Sequence, residues 1–573
     1  MSEIPSSAAP TRRVQLALLL AITVLAMGRV LLNGWVQDDI PLAMLNDRVH
    51  SWTGLWTGFT EPWWPPPNTS GLYRPVARAL LTLGWMTGGG APWVMHAFNL
   101  LWYAVSVAAV WVLARRLLPE GSAWLAAALY AVHPVHTETV AMAVNQGESL
   151  VATACALAAA WWIDGMTGAR PRRSTFAAVM VTYLLALGLK EHALVLPALL
   201  LLLEIPGVVP GADGTARRWR LQMVGVLLLM GAGFWLVRGA VLGGLVGADP
   251  ADGLAGLTPA ARSLTMLGAV PEWTRALLWP AHLQADYAPF EIVPWNGWTW
   301  AQTGGAIVLL IVTGLLLWSW RRRPLVAFGL LWLAVALAPV SNLLVTTGVI
   351  VAERTLTLPS VGVLIAIVGL LPADVWDRVR WRGVVAVAAA TLVLLGALRA
   401  MQRLGIWHDS ERYILALDRD APDSWHTQVA VGILALQQGD RAEGERRLRT
   451  AIGMWPTHAR AYKVLAEQYR RDGLCAPAIP LYEQAITLEP IDQYSRLALV
   501  ACLLDTGRYP EAATFADQGI AGPGRALQEA FLAARAAADS AERAHAAPGS
   551  VRLAPFAGGF TVIGARPPRP APR

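Results

Sequence analysis

Lysine is nearly missing from this 573-residue chain: Lys190 and Lys463 are the only two among 46 basic side chains, and the rest are Arg. That bias points to a GC-rich, bacterial coding sequence. Cysteine is scarce as well, with Cys155, Cys475 and Cys502 showing neither CxxC nor Cys/His ligand spacing, so a disulfide framework is excluded. Cys155 reads as a core residue. Cys475 and Cys502 stand as one candidate bridge if the C-terminal part lies outside the cytoplasm. Charge is sparse at 15%, against 55% hydrophobic residues and a mean hydropathy of +0.44, which excludes a soluble globular protein of this size. No Gly-rich phosphate loop occurs, so nothing calls for a nucleotide.

Long apolar runs take up the first 400 residues, and the chain is read as a polytopic membrane protein. The run 14–32 follows Arg12 and Arg13 without a small-residue cleavage site, so it is expected to be a retained anchor with a cytoplasmic N-terminus. Further spans are expected at 93–114, 121–135, 147–164, 174–189, 193–208, 220–242, 303–320, 324–342, 358–374 and 382–400, about eleven in all. The net charge of +7 comes from Arg clusters between these runs, which orients the chain and gives no reason to expect nucleic acid. Arg12/Arg13, Arg115/Arg116, Arg170/Arg172/Arg173, Arg217/Arg218/Arg220, Arg321/Arg322/Arg323 and Arg378/Arg380/Arg382 all fall on one side of this alternation. The segments 33–92, 136–146, 243–302 and 343–357, and everything after about 400, then lie on the periplasmic or lumenal side. The stretches 73–90 and 263–281 carry charge at helical spacing and are read as interfacial helices. The 27 Trp suit a chain with many membrane–water boundaries.

After Trp407 the composition turns charged and Ala-rich. Gly439, Gly473 and Gly507 recur every 34 residues, as do Pro422, Pro456 and Pro490, which is the tetratricopeptide (TPR) period. The expected organisation is all-α, with a membrane domain at 1–400, an extracytoplasmic TPR α-solenoid at 401–545 and a disordered Pro-rich tail at 546–573.

Polar residues gather on the face opposite the Arg clusters. They are Asp38-Asp39, Tyr73-Arg74-Pro75, "HPVHTE" (133–138), "NQGES" (145–149), Lys190-Glu191-His192, Asp286-Tyr287 and Glu353-Arg354. Any one of these pairs is read most simply as a solvated span end or a local salt bridge. Ionisable groups at membrane depth are nonetheless costly, and their shared face singles them out. His133, His136 and Glu138 do not have HExxH spacing, and Pro134 makes the segment a turn. The sequon Asn68-Thr69-Ser70 is given no weight. A carboxylate pair beside several cations suits sugar transfer from a lipid phosphate: the carboxylate accepts the attacking hydroxyl's proton, and the cations hold the departing phosphate.

In order along the chain, "VQDDI", "LYRPV", "YAVHPVHTETVAMAVNQGESL", "LGLKEHALVLP", "LLWPAHLQADYAPF" and "VAERTLTLPSVG", followed by the 34-residue repeats, resemble the transmembrane-and-TPR protein O-mannosyltransferases of the GT-C glycosyltransferase superfamily. The resemblance spans about 33 to 540. It implies a GT-C fold, a polyprenyl-phosphate-linked sugar donor and inversion at the anomeric carbon. It places the acidic motif on Asp38 and Asp39, which are also the candidate ligands for a divalent metal. It makes Arg74, Lys190 and Arg354 the candidate donor-phosphate contacts, and Tyr73, His133, His136, Glu138, Glu148, Glu191 and Glu353 the candidate cavity lining. The chain departs from the family pattern at Asn145-Gln146-Gly147-Glu148, which keeps the acid but lacks the usual Arg, and at Thr357, where Tyr is common.

The expectation is therefore a multi-pass enzyme of the bacterial inner membrane with a periplasmic TPR domain. It would move mannose or another hexose from a polyprenyl phosphate onto an extracytoplasmic acceptor, read as Ser/Thr of a protein held by the repeats. Its partners would be membrane lipids, the lipid-linked sugar and the acceptor. The rival readings are a glycan or lipid acceptor, and a non-enzymatic TPR scaffold or lipid-sugar flippase.

Overall fold

The computed structural model describes residues 11–65, 71–167, 173–209, 217–244, 250–251, 253–287, 292, 294–522, 525–556 and 559–563. The sequon at 68–70, Arg170, Arg172 and the prolines at 567–572 lie outside the described residues. The chain divides into two compact units, 1–421 and 422–573.

The first unit is built of helices, as a chain with so few charges to offer water requires: in a lipid core every backbone N–H and C=O must be bonded internally. Among the described residues, six helices are long and apolar enough to cross a membrane: Arg12–Leu32, Pro92–Leu117, Ala143–Met166, Arg217–Leu242, Trp300–Arg322 and Trp381–Trp407. The protein is a membrane protein of all-α class. The other expected spans are shorter helices, Glu120–Ala131, Arg173–Leu189, Leu196–Leu202, Pro324–Leu337 and Thr357–Gly369. Ala143–Met166 is the central helix, mostly buried, whereas Trp381–Trp407 exposes Val384, Val387, Leu392, Leu394, Leu395 and Leu398 along its length, a face suited to lipid. Pro324–Leu337 crosses Thr357–Gly369 through Gly329 and Gly362. A Cβ on either glycine would sit 2.4 Å from the other's carbonyl oxygen, so only small residues permit the approach.

The two stretches read as interfacial are helices Pro75–Gly88 and Pro259–Leu278, and neither is among the six. The first ends on Gly89 at φ +59°, a left-handed cap open to glycine. The second pairs Arg275 with Glu272 one turn away and carries Pro271 inside.

The second unit repeats a helix pair at the sequence period. First helices run Trp425–Gln437, Ala459–Arg471 and Gln493–Asp505, and second helices Arg441–Met454, Cys475–Leu488 and Tyr509–Ala521. Each set starts at 34-residue intervals. Between the partners of each pair stands a glycine with left-handed φ, Gly439 (+86°), Gly473 (+75°) or Gly507 (+76°). Before each first helix stands a side chain that accepts a backbone N–H: Ser424, His458 and Asp492. Helix Arg525–Arg543 packs onto the last pair, and strands Arg552–Phe556 and Gly559–Ile563 pair antiparallel. All three cysteines are buried, and none is in a disulfide among the described residues.

Candidate functional site

Asp38 and Asp39 follow the first long helix at a tight reversal. Gln37 takes φ +50°, and the amides of Asp39 and Ile40 close turns onto the carbonyls of Val36 and Gln37. The turn sends the neighbouring carboxylates in different directions. Asp39 is buried, and its two oxygens accept the backbone N–H groups of Ala143 (3.0 Å to Oδ2) and Val144 (2.9 Å to Oδ1). Asp38 is half-buried, and among the described residues no hydrogen bond to its carboxylate is present. It lies instead in the field of Arg354, Glu138, Arg74 and Lys190. Burial pushes the Asp38 carboxyl above the usual range and Glu138 adds to that, while Arg354, Arg74 and Lys190 oppose it. Burial pushes Asp39 up to about 7 against its two amide donors, with the Asp38 charge acting in the same direction as burial.

The segment 133–145 lies between Glu120–Ala131 and Gln146–Met166 as short turns, buried throughout. Asn99, on Pro92–Leu117, holds it from behind by donating to the carbonyls of Thr139, Val140 and Met142 at 2.8–2.9 Å. That anchoring brings Glu138 and Glu148 forward. Glu138 accepts the Arg354 backbone N–H at 2.9 Å and pairs with its guanidinium. Glu148 pairs with Lys190 and has His192 Nε2 at 3.5 Å. Arg74 donates through Nε and Nη2 to one oxygen of Glu191, at 3.1 and 2.9 Å. Each of the three cations is thus oriented by a carboxylate of its own, and Asp38 is the carboxylate left over.

The remaining sequence candidates are engaged elsewhere. The Tyr73 hydroxyl donates to the Phe59 carbonyl at 2.9 Å. His133 accepts the Val135 N–H at Nδ1 and lies 3.0 Å from the Leu277 carbonyl at Nε2. His136 spans Tyr103 and the Tyr130 carbonyl on one nitrogen and Ser360 on the other. Both imidazoles therefore tie the 133–136 turn to its neighbours. Glu353 is buried behind Arg354, where it accepts from Tyr287 at 3.2 Å and Arg403 at 3.3 Å, and Arg403 also reaches Asp420 at 3.1 Å. Burial pushes Glu353 up to about 8, against the pull of Arg403.

Several of these partners carry no sequence signal. Asn99 sits within an apolar run, and Arg403 looks like any basic residue at a span end. Among the described residues no group of three or more His, Cys, Asp or Glu is placed to hold a metal. The donor set at Asp38 and Asp39 does not fit one either: both Asp39 oxygens accept from amide donors, and Asp38 lies in the field of three cations that would repel a dication.

No family model matches the chain. Among curated proteins it is 25% identical over 528 residues to Protein O-mannosyl-transferase Tmtc1 of Drosophila melanogaster, covering 75% of this chain and 60% of that one. To TMTC1 of Homo sapiens it is 25% identical over 507 residues, covering 78% and 55%. To Tmtc2 of Drosophila melanogaster it is 34% identical over 208 residues, covering 34% and 22%. The chain therefore spans little more than half the length of the relatives it matches most broadly. Among solved structures, an Archaeoglobus fulgidus oligosaccharyltransferase in complex with Zn and sulfate matches at TM-score 0.40 and 13% identity, covering 68% of this chain and 53% of that one.

Proposed function

From curated homologues that are TMTC protein O-mannosyl-transferases, we propose that this chain is a GT-C-type membrane glycosyltransferase. It takes mannose or another hexose from a polyprenyl phosphate, undecaprenyl in a bacterium, and places it on Ser/Thr hydroxyls of an extracytoplasmic protein. The observation that carries the reading is the arrangement at Asp38: a carboxylate with no hydrogen-bonded partner among the described residues, lying in the field of three cations that already have theirs.

In this reading the acceptor O–H gives its proton to Asp38 as its oxygen attacks the anomeric carbon. The bond from that carbon to the phosphate oxygen breaks, and the electron pair leaves with the polyprenyl phosphate. A single displacement on the face opposite the leaving group inverts the centre. Arg74, Lys190 and Arg354 meet the charge that grows on the phosphate, and Glu191, Glu148 and Glu138 keep their N–H groups aimed. A carboxyl lifted by burial holds the transferred proton better than a free one. Asp39 keeps the pair's backbone in place. We take the 34-residue helix pairs as tetratricopeptide repeats that present the acceptor. A groove lined by apolar Ile433, Leu436 and Val464 together with charged Lys463, Glu467 and Arg471 suits an extended peptide.

The test is sugar transfer in membranes, with mass spectrometry of periplasmic glycopeptides. Asp38→Asn is expected to lower transfer by about 10²–10⁴-fold, the usual worth of a positioned base. Full activity in that variant would remove Asp38 from the reaction.

A further inference from the structure

The proposed base is the middle of three consecutive residues, Gln37, Asp38 and Asp39, and both of its neighbours are tied down. Asp39 is held by the amides of 143–144. On the other side, Gln37 has the left-handed backbone (φ +50°) that a residue with a Cβ adopts only when its surroundings enforce it. Among the described residues only Asn342 and His545 share this feature without being glycine.

The enforcing contact comes from the far end of the same unit. The Gln37 side-chain amide donates to the hydroxyl of Tyr413, on helix Ser410–Asp420. That hydroxyl in turn donates to the Ala285 carbonyl at 3.5 Å, and the buried ring packs on Trp407 with centroids 5.0 Å apart. The backbone is laced in the same place: the Gly34 N–H donates to the His408 carbonyl at 2.8 Å, and a Cβ on Gly34 would meet that oxygen at 3.3 Å. The Tyr413 hydroxyl is also within electrostatic reach of Asp38 and Glu138.

We propose that Tyr413 is a positioning residue: by gripping Gln37 in its left-handed conformation it aims the Asp38 carboxylate at the cations of Arg354, Arg74 and Lys190. The proposal rests on the reading of Asp38 as the base, and it gives helix Ser410–Asp420 a part in the site that no motif in the sequence announces. With the tether cut, residue 37 relaxes toward an ordinary conformation, and because consecutive residues share the turn, Asp38 swings with it. A misplacement of the order of an ångström is enough to slow a positioned group by up to about 10²-fold.

Two variants separate this from a fold defect. Tyr413→Phe keeps the ring against Trp407 and removes only the hydroxyl. Gln37→Gly takes the left-handed φ freely and removes the whole side chain, the amide with it. Each purified full-length variant is treated with a hydrophobic carbodiimide at one fixed pH, and the adducts on Asp38 and on exposed Asp377 are counted by mass spectrometry. Transfer from a polyprenyl-phosphate sugar is measured in parallel. The expected result is an Asp38 labelling rate altered by about threefold or more at an unchanged Asp377 rate, with kcat down about tenfold and donor KM nearly unchanged. Unchanged Asp38 labelling in both variants overturns the positioning role, whatever the transfer rate. Full transfer by Asp38→Asn instead overturns the reading of Asp38 as the base, and the labelling result still decides whether Tyr413 aims it.

Discussion

Replacing Asp39 with Asn would turn one amide N–H of the 143–144 turn toward an NH2 group, since the Asn side chain offers a single oxygen where the carboxylate offers two. Leaving one buried donor unmatched costs about 1–3 kcal/mol, so Asp39→Asn is expected to lower the unfolding temperature in detergent, whereas Asp38→Asn leaves it nearly unchanged. A matching loss in both variants would argue against the division of labour between the two. The same residues set a pH dependence. Burial pushes Asp39 up to about 7 and Glu353 up to about 8, so from about pH 4 to about pH 8 the folded chain keeps protons that the unfolded chain has released. Stability therefore falls as pH rises through that window. Thermal unfolding followed from about pH 5 to about pH 8 should show the decline, and Glu353→Gln, which has the shape of the protonated acid, should flatten it. The adjacent aspartates were legible in the sequence as a pair. Their different situations were not, because the amides that take Asp39 belong to residues 104 and 105 positions away.

Among the helices, hydropathy placed a helix at each expected span, but only six of these are long and apolar enough to cross a membrane among the described residues, and lengths were misjudged where the site intrudes. The stretches read as 121–135, 193–208 and 358–374 are short helices flanked by tight turns at Pro134–His136, Glu191–Val195 and Glu353–Leu356. These turns carry candidate polar residues, and a sliding average over apolar side chains cannot see a backbone that leaves the helix to present one. The repeats were the opposite case. Their period is written in glycines and prolines, and the left-handed φ of Gly439, Gly473 and Gly507 is the physical reason that glycine recurs there. Gly473→Val forces a β-branched residue into that conformation and should destabilise the second unit by about 1–2 kcal/mol. Its readout is an earlier melt and faster proteolysis within 459–488. A Gly453→Val change within a second helix, where φ is not left-handed, is the control.

For the whole molecule, the Arg clusters are the basis for proposing that the site faces the periplasm. Reporter fusions after Leu32, Arg116, Arg173 and Ala400 are expected to read outside, inside, inside and outside. A cytoplasmic signal from the fusion after Ala400 would invert the assignment of the repeats and with it the acceptor. The scarcity of lysine has a practical sequel. Each lysine sits in an acidic clasp, Lys190 against Glu148 and Lys463 against Glu489 and Asp492, and each belongs to a different unit. Acylating reagents therefore have just two side-chain amines to find, which makes the protein its own two-channel reporter. The Lys190 side chain is the more buried of the two, 13% exposed against 28% for Lys463, and should acylate more slowly. If it meets the donor phosphate, a polyprenyl phosphate should shield Lys190 and leave Lys463 untouched, while an acceptor peptide lying in the groove of the repeats should do the reverse. Peptide mass spectrometry reads both amines in a single digest, so occupancy of each half can be followed without a mutation or turnover.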